Sequence, residues 1–243
     1  MERDFEKAEY WMQQAAENGD DDAPDLVDRY HKAVEVAKKA AAGDAQAQAD
    51  LAEILMLQSG NLEQAGPEDD YALAVELARK SAAQNNGDGL WQLALAYAHG
   101  RGVEEDKAKA VELFRKGAEL GNAKCQQNLA VYYLQGEVVE ENQKYGFELA
   151  MKSAQQGNGL GMRTVGQCYQ FGNGVEDDMT RAIYWYEKAL KVIDDPELAQ
   201  KVHMFKNLES LENEKTEDNL EATFPTGYME AMEKLMHGKD PNC

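Results

Sequence analysis

The 243-residue chain has little of what interrupts helices, staples small folds or spans membranes: five prolines, three cysteines, and no apolar run near the roughly 18 residues that a spanning helix needs. With proline scarce, the composition is led by residues that lose least on entering a helix, and a nearly all-helical chain is expected. Cys125, Cys168 and Cys243 are odd in number and unrelated in spacing, which excludes a disulfide framework and a C-x-x-C metal site and points to a reducing compartment. Basic residues are also short, 25 against 45 acids, for a formal charge of −20. Such a surface repels phosphate backbones and anionic headgroups, so neither nucleic acid nor membrane is an expected partner. The opening stretch MERDFEKAEYWMQQ has no apolar core of the signal-peptide kind, and the expected compartment is the cytoplasm.

What is present is a repeat. Gly100, Gly136 and Gly172 stand 36 residues apart, as do Asp106, Asn142 and Asp178. Small residues recur at Ala47, Gly89, Cys125 and Gly161, with a longer first interval that the extra residues around SGNLEQAGPED explain. Four units follow, over 45–87, 88–121, 122–157 and 158–192. Each reads as two antiparallel helices. In LWQLALAYAHG the apolar and small positions Gly89, Leu93, Ala94 and Tyr97 share one helical face, and a glycine ends the helix. A turn such as GRGVEED or GNGVEDD follows, its Val103 or Val175 able to tuck back, and its acids open the second helix, where free N–H groups favour carboxylates. That helix is expected to bury Ala110, Leu113, Phe114 and Ala118, and a glycine at 87, 121 or 157 closes three of the units. Two helices that bury one face each cannot make a core alone, so units must stack. The fold class is all-α: a right-handed superhelical α-solenoid of stacked antiparallel helix pairs.

These residues carry a resemblance. The pattern A-x-x-L-G-x-x-Y-x-x-G-x-G-V-x-x-D-x-x-K-A-x-x-W, closing in K-A-A-x-x-G, is similar to the Sel-one-like repeat, a relative of the tetratricopeptide repeat. VGQCYQFGNGVEDDMTRAIYWYEKAL and LALAYAHGRGVEEDKAKAVELFRKGAELG carry it best. The third unit departs, with GEVV for G-x-G-V and Gly146 in the alanine position, and a less regular turn is expected there. The resemblance implies non-enzymatic modules that dock proteins, and sometimes peptides or glycans. Secreted members with a cysteine pair in each repeat differ from this chain.

The ends are less regular. Residues 4–19 match only the second helix of a unit, and 1–44 read as degenerate repeat helices with one long helix over about 25–42 after Pro24. Residues 193–211 offer a capping helix, and 212–243 an acidic linker with a short amphipathic helix in TGYMEAMEKLMHG.

Little here suggests catalysis. His31, His99, His203 and His237 have no partner at ligand spacing, and Cys125 and Cys168 fall on core positions. GNGLGM follows a helix where a nucleotide cradle would follow a strand, and the acid clusters lack the alternation of a calcium loop. No cofactor, metal or catalytic residue is expected. Eleven of the 45 acids open second helices and six lie in 209–221, so the charge mostly reports architecture.

A partner is expected on the first helices, which line the concave side of stacked helix pairs. Positions two before and two after Leu93, Leu129 and Val165 point away from the core. They are Trp91, Gln127 and Arg163, then Leu95, Val131 and Gln167, with Gln92, Asn128 and Thr164 beside them. Amides able to pair with both donors and acceptors, beside apolar anchors, suit an extended peptide. The reading is a non-catalytic scaffold for a protein or peptide, as a monomer or weak homodimer; a glycan or small-ligand binder is the alternative, and an undetected hydrolase a third.

Overall fold

The computed structural model describes residues 34–58 and 67–213, together with Lys32. The half-repeat at 4–19, the start of the helix expected over 25–42, the extra residues at 59–66, and the acidic tail with Cys243 lie outside the described residues. The described residues form helices and turns, with no strand among them. The chain divides into two compact units, Met1–Leu120 and Gly121–Cys243.

In the first unit residues 34–41 are helical, followed by α1 (Ala45–Gln58), α2 (Pro67–Ala83), α3 (Gly87–His99) and α4 (Lys107–Glu119). The second unit holds α5 (Ala123–Gln135), α6 (Gln143–Gln155), α7 (Gly159–Phe171), α8 (Met179–Leu190) and α9 (Pro196–Asn213). The helix pairs α1–α2 and α3–α4 each pack together, and α2 packs on α3; in the second unit α5–α6, α7–α8 and α6–α7 repeat the scheme. The first helices also meet, α1 with α3 and α5 with α7, whereas no comparable contact joins α2 to α4 or α6 to α8. First helices therefore form the inner layer of each unit.

Local chemistry explains why these segments are helical. Asn86, Asn122 and Asn158 cap the first helices α3, α5 and α7, each side-chain oxygen accepting from the backbone N–H three residues on. Asp106, Asn142 and Asp178 cap α4, α6 and α8 in the same way. In the clusters at 104–106 and 176–178 only the last acid caps, and Glu104, Glu105, Glu176 and Asp177 stand before the helix in solvent, whereas Glu68, Asp69 and Asp70 lie within α2. Gly100, Gly136 and Gly172 end the first helices at φ near +70°, each N–H returning to a carbonyl one turn back. The turn then closes with the cap residue's N–H on the carbonyl of Tyr97, Tyr133 or Tyr169, at 2.8, 2.9 and 2.8 Å.

Three expectations are corrected by this geometry. Gly121 and Gly157 do close second helices in the left-handed region, but in the first unit Asn85 takes that conformation, at φ 57°, and Gly87 already begins α3. On α4 the buried face runs through Ala110, Val111, Phe114 and Gly117, with Leu113 and Ala118 only half-buried, because the helix turns its seam slightly past the expected one. The turn after α5 keeps the geometry of the others despite its different sequence, since Val138 adopts φ 66° where Gly102 and Gly174 stand at 69° and 74°. Gly146 has a reason too: an added Cβ would lie 2.8 Å from Leu134 Cγ on that unit's first helix.

Small residues set how closely the pairs approach. A Cβ on Gly161 would fall 2.6 Å from Ser153 Oγ, and one on Gly89 would meet Ser81 more closely still. Both serines are fully buried, and each Oγ donates to the first carbonyl of its own unit's first helix, Ser81 to Ala45 at 2.6 Å and Ser153 to Ala123 at 2.7 Å. Gly102 combines a left-handed backbone with a position where a Cβ would stand 2.5 Å from the Tyr71 carbonyl oxygen.

A β-branched residue in the left-handed region costs on the order of 1 kcal/mol or more, partly offset by the freedom glycine has in the unfolded chain. Val138→Gly is accordingly expected to raise stability by about 1 kcal/mol, and Gly102→Val to lower it by about 3 kcal/mol or more through strain and overlap together. Urea midpoints of the two variants check this; a Val138→Gly variant less stable than the parent would show that the valine is not strained.

Candidate functional site

The second unit contains a cleft of about 390 Å³ between its first helices and the start of α9. From α5 it takes Gln127, Val131 and Leu134, which lie one turn apart on a single face. From α7 it takes Arg163, Thr164 and Gln167, from α8 the ring of Tyr186, and from the α9 entry Asp195, Glu197, Leu198 and Lys201. The wall is mixed: amides and a hydroxyl on two helices, aliphatic side chains between them, and two charges of each sign toward α9.

The charges on the α9 side are tied into the fold. Asp195 caps α9, its Oδ1 accepting from Leu198 N at 2.9 Å, while Oδ2 meets Arg163 Nη1 at 3.2 Å. The Leu198 N–H above all, and the Arg163 guanidinium with it, hold this carboxyl below the usual carboxylate range against the opposing effect of burial. Lys201 places its ammonium 5.3 Å from the ring centre of Tyr186, 5.6 Å from Phe171 and 5.8 Å from Phe205. Tyr186 is fully buried and its hydroxyl donates to Gln170 Oε1 at 2.7 Å. Gly166 leaves the space for that ring, since a Cβ there would lie 2.5 Å from it. Lys206 pairs with Glu187, tying α9 to α8, and Leu198, Val202 and Phe205 form the buried stripe of α9.

Four of the residues expected to meet a partner, Gln127, Val131, Arg163 and Gln167, come together here with Thr164. They are less open than a solvent strip: Gln127 is 9% exposed and Thr164 3%, its Oγ1 donating to the Leu160 carbonyl at 3.0 Å. Asn128 is on the same helix but outside the lining; its amide is spent on the Lys124 carbonyl at 2.9 Å. Trp91, Gln92 and Leu95 belong to α3 in the first unit. Trp91 and Leu95 are half-buried, whereas Gln92 is buried at 3% exposure, its Nε2 having no hydrogen-bond partner among the described residues.

Asp195, Glu197, Leu198 and Lys201 were not among the expected site residues. The signal for them was present in DDPEL, an aspartate before a proline that opens a helix, but its relevance depends on the start of α9 lining the same cleft as α5 and α7. Among the described residues no group of three or more His, Cys, Asp or Glu side chains could hold a metal ion. Cys125 and Cys168 are buried, and no disulfide joins them.

Comparison with known proteins adds the following. The Sel1 repeat family model matches residues 1–20, 45–86, 87–122, 123–158 and 160–191. Among solved structures, a protective antigen present in uropathogenic Escherichia coli strains and displaying an SLR fold is 31% identical, with a TM-score of 0.55 over 65% of this chain and 33% of its own. The chain thus spans about a third of that antigen's length. A Sel1 repeat protein from Oxalobacter formigenes is 21% identical, with a TM-score of 0.56 over 86% of each chain. The sequence comparison with curated proteins yields no match.

The Asp195 cap has a measurable pH signature. Its folded-state pKa is depressed, so its contribution is complete above the unfolded value of about 4 and fades as pH falls through the lower folded value. Asp195→Ala is expected to lower stability by about 1 kcal/mol at pH 7. Thermal melts of the two proteins should converge below about pH 4; a gap that persists in acid would assign the loss to something other than the charged cap.

Proposed function

The chain belongs to the Sel1 repeat family, whose members are commonly protein-interaction scaffolds, and we propose that it is a non-catalytic adaptor that docks an extended segment of a partner protein in the cleft of its second unit. The observation that carries this reading is the convergence of Gln127, Val131, Arg163 and Gln167 with the α9 entry around one cleft. An extended strand needs donors and acceptors at intervals along its backbone and apolar pockets for alternate side chains. Gln127 and Gln167 supply the first, and Val131, Leu134 and Leu198 the second. Trp91, Gln92 and Leu95 occupy the matching repeat positions in the first unit and are proposed as a contact strip of that unit; Asn128 is proposed as a contact beside the cleft of the second unit.

The proposal extends to setting. Two single buried thiols and no cysteine pairing among the described residues support a reducing, cytoplasmic compartment. No helix among the described residues is long and apolar enough to cross a membrane. The acid excess supports a protein partner over nucleic acid. A monomer or weak homodimer is the proposed state.

The test is differential capture. The full chain and its Val131→Asp variant serve as baits in native extract of the source cells, with bound proteins quantified by mass spectrometry and folding checked by circular dichroism. A buried carboxylate in an apolar contact costs several kcal/mol, so a true partner should fall at least about tenfold. Capture of the same proteins in the same amounts by both baits would remove the cleft from the reading.

A further inference from the structure

Resting on that docking reading, the structure assigns the cleft a more specific occupant: we propose that the docked segment presents a carboxylate, from an acidic side chain or a chain terminus, to Arg163. A guanidinium carries five N–H donors in a rigid planar fork, and its two edges can each hold a carboxylate through parallel hydrogen bonds. Asp195 uses only Nη1, through one oxygen at 3.2 Å, because its other oxygen is committed to Leu198 N at 2.9 Å. The opposite edge, Nε with Nη2, is therefore unused by Asp195. Nε is buried and has no hydrogen-bond partner among the described residues. A covered donor on a cation is costly to leave unmet, more so than on a neutral group.

The arginine is nonetheless reachable. Its side chain is 41% exposed, against 18% for Asp195, and it lines the cleft directly. Lys201 lines the same cleft and adds a second positive charge beside Tyr186. The balance of charge selects a carboxylate over a phosphate. Asp195 and Glu197 line the cleft too, and the chain as a whole carries −20, so a dianion meets repulsion that a monoanion on one spare fork edge does not. The glutamines flanking the arginine, Gln127 and Gln167, are placed to hold the neighbouring peptide groups.

The probe is a displayed library of random peptides of about twelve residues with free C-termini, selected on the full chain. Enriched sequences are then synthesised in two forms, with the acidic residue or with its amide, and with a free or an amidated terminus. The expected result is a loss of about tenfold or more on neutralising the carboxylate, the usual size of a charge-assisted pair. Whether the side-chain or the terminal replacement causes it identifies the source. Arg163→Gln should weaken the acidic peptide to the same degree and the neutral one far less. Arg163→Lys keeps the charge and loses the two-donor edge, so it should fail to restore binding. Peptides that need Val131 but are indifferent to the carboxylate and to Arg163→Gln would overturn this inference and leave the docking reading standing. No enriched peptide, or peptides insensitive to Val131→Asp, would overturn both.

Discussion

Within each compact unit one helix pair packs on the next at a distance that only a missing side chain allows. Gly89 lies against Ser81, and Gly161 against Ser153, where a methyl group would overlap a buried hydroxyl. The hydroxyls are held in place by their own bonds to the first carbonyls of α1 and α5. A close glycine contact therefore sits on a satisfied polar group, and the two are mutually necessary. Without the glycine the helices separate; without the hydrogen bond a buried serine would lack its partner. A similar close approach occurs at Gly102, where the turn of one pair meets the Tyr71 carbonyl of the previous second helix. Dispersion across such contacts falls steeply with distance, so a small loss of approach weakens the whole interface.

That spacing decides where a partner could enter. First helices pack on each other within each unit, and in the second unit the start of α9 joins α5 and α7 around the cleft. The outward face of α9 is polar, with Glu197, Gln200, His203, Lys206 and Asn207 exposed, while Leu198, Val202 and Phe205 point inward. The same helix contributes its N-terminal aspartate and Lys201 to the cleft, where they meet the charge of Arg163 from α7.

Much of this was legible in the residues, and the misses are instructive. Gln127, Val131, Arg163 and Gln167 follow from helical geometry once Leu129 and Val165 are taken as core, because a helix fixes the angle between neighbours at about 100° per residue. Their degree of burial did not follow, since it depends on how near the adjacent first helix comes. Gln92 shows the limit: its register matches Thr164, and both are buried, yet only Thr164 finds an acceptor, the carbonyl of Leu160. Asn85 and Gly87 show another, because either residue can adopt a left-handed backbone and the sequence alone does not say which does.

The period of 36, the paired helices, the caps at Asn and Asp and the glycine stops at 100, 136 and 172 were determined by sequence alone. Each depends on residues within a few positions of one another, where backbone geometry and a single hydrogen bond settle the outcome. Only the tertiary structure decided that Arg163 meets Asp195, 32 residues away, on one oxygen and one edge of its fork. It also decided that Val138 accepts a glycine's conformation, because the turn is imposed by the helices it joins. Contacts of that kind depend on the radial placement of whole helices, which the spacing of residues along one helix does not contain.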